Sequence, residues 1–190
     1  MQYMLVHAVD DELAAAKPWD EAAQASLEAW LDQTIGQKVN LHEALEWASK
    51  HPTAQIGAIE VRPLYDDQPP AGLPEPAPGK RRYLMLVCTD PSVEREELEP
   101  IAPVEPWVNE MVGRGARRYG SQLAEPARAR TVRVRDGQAL FTDGPFAETK
   151  EQIAGFDILD CADLDEAIEI AEKHPMARHG VLEVRPFWPF

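Results

Sequence analysis

The strongest constraint on this chain is an internal repeat. Residues 41–64, LHEALEWASKHPTAQIGAIEVRPL, return at 164–187 as LDEAIEIAEKHPMARHGVLEVRPF, with 14 of 24 positions identical. Ordinary composition gives roughly one or two such matches by chance. A repeat of this length constrains the architecture before any residue-level reading does. It means that a helix followed by a strand closes each of two related halves. A chain of 190 residues has room for two small domains, and 44% hydrophobic content is enough to give them packed cores.

In chain order, Tyr3 to Val9 is an apolar run of one strand's length. From about Asp20, Ala23, Leu27, Trp30, Leu31 and Thr34 recur at helical spacing up to Gly36. Asn40 and Glu43 read as the two ends of a capping box, with Leu41, Ala44, Leu45 and Ala48 as the buried stripe behind it. His51-Pro52 stops that helix, and Ala58 to Arg62 is the closing strand. Asp66 to Gly79 holds five prolines and little that a core could use, so it reads as a semi-rigid linker. The second half opens with a strand at Tyr83 to Cys88, followed by an acidic, helical stretch at Val93 to Glu99 and a helix around Trp107 that ends near Gly113. Strands at Arg130 to Arg135 and Ala139 to Thr142 flank Asp136-Gly137, a dipeptide suited to the φ > 0 turn of a tight hairpin. Ile153 to Leu159 is a further strand; Asp163 with Glu166 caps the last helix, and Val181 to Arg185 closes the chain.

The opening strands lie 80 positions apart and the closing units 123 apart, so the first half lacks roughly 45 residues that the second half carries between its helices. The second half then reads β-α-β-β-α-β with an added hairpin, and the first β-α-α-β. The longer pattern is the ferredoxin-like split βαβ unit. Two helices cover one face of such a sheet, and the other face needs a partner. The expected organisation is a truncated unit at 1–65, a linker at 66–80 and a full unit at 81–190.

Net charge is −14, which opposes direct binding to nucleic acid or to anionic membrane. No apolar run reaches the length of a membrane span. No basic segment precedes the short apolar run at the start, which predicts the absence of a secretory signal and a cytoplasmic location. Cys88 and Cys161 each end an apolar run and read as buried thiols in a reducing compartment. No HExxH, CxxC or acidic calcium loop occurs, and no glycine-rich phosphate loop or nucleophile elbow, so neither a metal nor a nucleotide cofactor is expected.

The stretch TVRVRDGQALFTDGPFAETKEQIAGF at 131–156, together with VLEVRPF at 181–187, resembles the YCII-related (DGPF-domain) family. The resemblance covers about Tyr83 to Phe187, and residues 1–64 resemble a cut-down second copy. It implies a ferredoxin-like α+β barrel that forms homodimers, in a small bacterial cytosolic protein. It also implies either a cofactor-free enzyme or an accessory of a sigma factor. A better-studied branch carries a proposed His–Asp dyad, and this chain departs from it at both places. Its corresponding helix offers Trp107 and Asn109 but no histidine, and the residue before Pro175 is His174.

Candidate site residues follow from local chemistry. Asp143, Gly144, Pro145 and Phe146 form a sharp turn at a strand end: Asp can bond its own downstream backbone, Gly accepts φ > 0, and Pro presets the next φ. Such a turn serves structure, or it holds the Asp143 carboxylate out toward a ligand. His174 and His51 recur before Pro175 and Pro52, where the carbonyl end of a helix favours an imidazole. A cap explains both; His174 becomes an acid or base only if it meets Asp143. Seven arginines fall between Arg114 and Arg135, with Glu125 as the one acid among them. They form either a solvated face paired with the chain's own glutamates, such as Glu94 to Glu99, or a site for a small anionic ligand. On the second reading Arg133 and Arg135 hold the anion beside Trp107. The function expected is a small-ligand or protein-binding regulatory module. The alternative is an enzyme acting on a small anionic metabolite.

Overall fold

The computed structural model describes residues 3–16, 20–34, 39–65, 73–90, 101–146 and 151–187. The acidic stretch 93–99, the first part of the linker (66–72) and residues 147–150 of the loop after Asp143 lie outside them. The first part of the chain runs β1 (Tyr3–Val9), α1 (Asp11–Ala16), α2 (Glu21–Thr34), α3 (Leu41–Lys50), α4 (Thr53–Ile56) and β2 (Gly57–Pro63). It continues with β3 (Arg81–Thr89), α5 (Glu105–Gly113), β4 (Arg117–Gln122), β5 (Arg130–Arg135), β6 (Gln138–Asp143), β7 (Gln152–Cys161), α6 (Leu164–Glu172) and β8 (Val181–Pro186). The architecture is α+β, with two antiparallel four-stranded sheets. The chain divides into two compact units, one of residues 1–69 and 124–148 and the other of 70–123 and 149–190.

The first unit builds the sheet β1-β2-β5-β6. Asn40 caps α3 in a complete capping box, its side chain accepting from Glu43 N while Glu43 bonds Asn40 N. Ala44 and Ala48 on the inner face of α3 pack with Ala54, Ile59 and Val61. Three of these five are alanines, and the core is completed from far along the chain by Val132, fully buried on β5. The hairpin β5–β6 turns at Asp136-Gly137 with φ of 51° and 76°, as the dipeptide predicts. Its neighbour is β2, where Ile59 faces Val132 and Val61 faces Arg130. The unit therefore does not end at residue 65. A β2 left at the sheet edge would expose a row of N–H and C=O groups and leave a core too small to close. One turn of helix, α1, also lies outside the sequence expectation; Asp10 starts it by accepting from the amides of Glu12 and Leu13 at 3.1 Å each.

The second unit builds the sheet β4-β7-β3-β8, an order compatible with the ferredoxin-like fold. Its core is larger. Trp107 and Met111 of α5 and Ala167, Ile170 and Ala171 of α6 pack on Tyr83, Met85, Val87, Leu159 and Cys161. The Trp107 indole N–H donates to Ile170 O at 3.1 Å, tying the two helices together. Strand β4, RRYGSQ, is absent from the sequence expectation because it lacks apolar alternation. Its pairing with β7 instead involves an ion pair, Arg117 Nε to Asp157 Oδ1 at 2.5 Å. A Cβ at Gly120 would lie 2.0 Å from the same carboxylate, so the position admits only glycine. With β4 in place, the split βαβ pattern is complete without the hairpin, which is free to serve the other unit.

Strands β1 and β2 pair in the same register as β3 and β8. Tyr3 faces Pro63 in the first as Tyr83 faces Pro186 in the second, and the pairing continues in step from there. Asp163 caps α6 as Asn40 caps α3, with the Glu166 carboxylate reaching back to the Ala162 amide.

Candidate functional site

In the first unit the DGPF turn is held by backbone and threonine. Gly144 takes φ of 86°, its N–H donates to Ala129 O at 3.0 Å, and its carbonyl accepts from Thr131 Oγ1 at 2.9 Å. Arg133 Nη2 donates to Phe146 O at 3.0 Å. Arg135 reaches the carbonyls of Ala54 and Gly57, at 3.1 Å each, where α4 runs into β2. Both candidate anion-holding arginines thus hold backbone carbonyls. The Asp143 side chain is 88% exposed and pairs with Arg130 Nε at 3.0 Å. An ion pair that open to water contributes little to stability.

In the second unit the structure brings Trp107 and His174 together. Their rings meet edge to face with centroids 4.6 Å apart. His174 Nδ1 accepts the Met176 amide at 3.1 Å, so the ring caps the 3-10 turn Pro175–Arg178 rather than the end of α6. Burial first, and the Arg117 guanidinium second, push its pKa down to about 4. The imidazole is therefore neutral near pH 7, with its lone pair engaged. Trp30 and His51 reproduce the arrangement in the first unit: the indole N–H bonds Trp47 O, the rings lie 4.7 Å apart, and His51 Nδ1 accepts from Thr53 N. The His51 pKa is likewise lowered to about 4, by burial and then by His7. Asp143 belongs to one compact unit and His174 to the other.

A third location lies wholly inside the second unit. Lys80, Arg114 and Arg118 line a hollow of about 380 Å³ together with Pro74, Glu75, Ala77, Gly115 and Asp160. At its base Asp160 is buried and takes a two-pronged bond from Arg82, at 2.8 and 3.1 Å, with Arg118 Nε at 3.4 Å. Lys80 Nζ donates to Asp160 O at 3.3 Å. Arg114 is held loosely, its nearest carboxylates among the described residues being Glu110 at 3.8 Å and Glu166 at 3.9 Å. The arginine-rich stretch hinted at this place, but Lys80 and Arg82 were not read with it. Asp157 and Asp160, two acids inside the apolar strand QIAGFDILDC, were the signal that could have found it. Burial raises the Asp157 pKa to about 6 against the opposing pull of Arg117. Among the described residues no three His, Cys, Asp or Glu side chains gather as metal ligands.

The family model of the YCII-related domain matches residues 82–190, more than half of the chain. The chain belongs to the YCII-related family. An uncharacterised protein of Rhizobium meliloti (strain 1021) is 46% identical to this YCII-related chain over 68 residues, 35% of the chain. The match spans 55% of that relative's own length. The family match begins at β3 and includes the hairpin that completes the first unit's sheet. No helix among the described residues is long and apolar enough to cross a membrane.

Proposed function

We propose that this YCII-related protein is a binding module for a small carboxylate- or phosphate-bearing ligand, seated in the cationic hollow of the second unit. The observation that carries this reading is Arg114, a fork of five N–H donors beside the hollow with no carboxylate of the described residues nearer than 3.8 Å. Lys80 and Arg118 add two further cations against the Glu75 carboxylate of the lining, while the facing Asp160 is paired by Arg82 at 2.8 Å and more distantly by Arg118 at 3.4 Å. Binding is favoured over proton-transfer catalysis because the one histidine offered for that role is neutral and engaged as a cap. We further propose that residues 1–65 are a reduced copy of the 81–190 domain. Its support is the shared register, caps and Trp–His contacts of the two units.

Thermal unfolding with inorganic phosphate or citrate as probe tests the binding reading. A probe at a hundredfold its Kd stabilises the fold by about 2.7 kcal/mol. The shift is expected to shrink at high salt and to vanish in Arg114→Gln/Lys80→Gln, while Asp143→Ala keeps it. No shift with either probe at low salt, or a shift the double variant retains, overturns the reading.

A further inference from the structure

The end of the proline-rich stretch does more than connect the two repeats. Pro74, Glu75, Ala77 and Lys80 form one wall of the cationic hollow. Prolines stand at 74, 76 and 78, so φ is fixed at every second position of that wall. Glu75 and Ala77, each preceding a proline, are confined to extended conformations. The wall is also tied down at both ends. Arg82, which clamps Asp160, donates through Nη2 to Pro74 O. Ala77 to Lys80 closes as a tight turn in which Lys80 N bonds Ala77 O at 2.9 Å. Pro78 at its second position and Gly79, with φ of 80°, at its third are the pattern of a type II turn. Glu75 is therefore mounted on a stiff support between two ties.

The charges of the lining are not all of one sign. Lys80, Arg114 and Arg118 accompany two carboxylates, of which Asp160 is paired by Arg82 and Arg118. Glu75 differs: among the described residues it forms no ion pair or hydrogen bond. An unpaired carboxylate in a cationic hollow repels a purely anionic ligand and attracts one that also carries a positive group. We propose that the ligand is a zwitterion, with an ammonium group held by Glu75 and a carboxylate or phosphate held by Arg114 and Lys80. This rests on the binding reading given above and narrows its ligand class to amino acids and amine-bearing phosphate esters. The hollow, of about 380 Å³, accommodates molecules of that size. Glu75 then sets specificity by rejection as well as attraction, since the same carboxylate disfavours a dianion of equal shape.

Isothermal titration calorimetry at low salt with two matched pairs tests this: L-glutamate against glutarate, and phosphoethanolamine against ethyl phosphate. The members of each pair differ only by the ammonium group. The wild type is expected to bind the ammonium-bearing member of at least one pair about tenfold more tightly, as one charge-assisted hydrogen bond would give. Glu75→Gln is expected to erase that preference and to tighten binding of the matched anion, a gain that a merely structural Glu75 would not produce. Glu75 is exposed, so the change leaves the fold intact. A wild type that binds neither ammonium-bearing member more tightly than its match overturns the zwitterion assignment, as does a preference that Glu75→Gln retains. Either result leaves the anion-binding reading standing so long as Arg114→Gln/Lys80→Gln abolishes the binding. No binding of any probe, or binding that the double variant retains, overturns both.

Discussion

Each unit contains one copy of the repeated helix-and-strand sequence, but the two solve different packing problems. In the second, Trp107, Met111, Met85, Leu159 and Ile170 fill the space between helices and sheet, and β3 has strands on both sides. In the first, Ala44, Ala48 and Ala54 stand where larger side chains would be needed, and β1 is itself an edge. The hairpin makes up the difference, adding Val132 to that core, two strands to that sheet and Arg135 to the carbonyls at the end of α4. The lesson is that a strand with one finished edge and a thin core acquires its second edge from wherever the chain can reach.

Breaking the aromatic clamp in each unit gives the largest expected contrast. Trp107→Ala empties a site that is 5% exposed and should cost about 3–5 kcal/mol. Trp30→Ala, at a half-buried position, should cost about 1–3 kcal/mol, both read by urea unfolding. Proline at the equivalent strand positions sharpens the edge comparison. Val61→Pro removes an amide from the β2–β5 ladder and should cost about 1–3 kcal/mol. Val184→Pro alters an amide facing the open edge of β8, the last strand of its sheet among the described residues, and should cost less than about 1 kcal/mol.

Acid should expose the smallest difference. His51 and His174 titrate near 4 when folded and near the ordinary 6.5 when unfolded, so the unfolded chain binds more protons between those values. Their contribution is present above about pH 6.5 and is lost as pH falls toward 4. Asp157, raised to about 6, acts in the opposite sense: its contribution is present below the ordinary carboxylate value and lost as pH rises through 6. His7, its pKa lowered by burial, acts in the same sense as the other two, and three histidines against one aspartate predict a net fall in midpoint temperature from pH 7 to pH 4. His174→Gln should flatten that fall and leave the share due to His51 and His7.

Much of this was legible because periodic apolar residues and caps are local signals. The capping residues Asn40 and Asp163, the strands β1, β2, β3 and β8, and the Asp136-Gly137 turn all follow from neighbours a few positions away. Strand β4 was hidden because Arg117 and Gly120 satisfy a buried carboxylate instead of filling an apolar face. The partner of the hairpin was hidden for another reason. Which edge a strand joins depends on which edges remain open across the whole fold, and no window around residues 130–143 contains that information. The turn at Asp143 was readable as a turn, whereas the cationic hollow gathers residues 80, 82, 114, 118 and 160 from three separate segments.

The borrowed strand also sets a timetable. A nascent chain that has released only its first 69 residues holds α3, β1 and β2 without the valine that seats against them. The missing hairpin arrives about 74 residues later, which at 5–20 residues per second is a wait of roughly 4–15 s. Through that interval the growing amino-terminal segment presents a bare strand edge to the cell, and its folding is governed by the pace of translation as much as by its own residues.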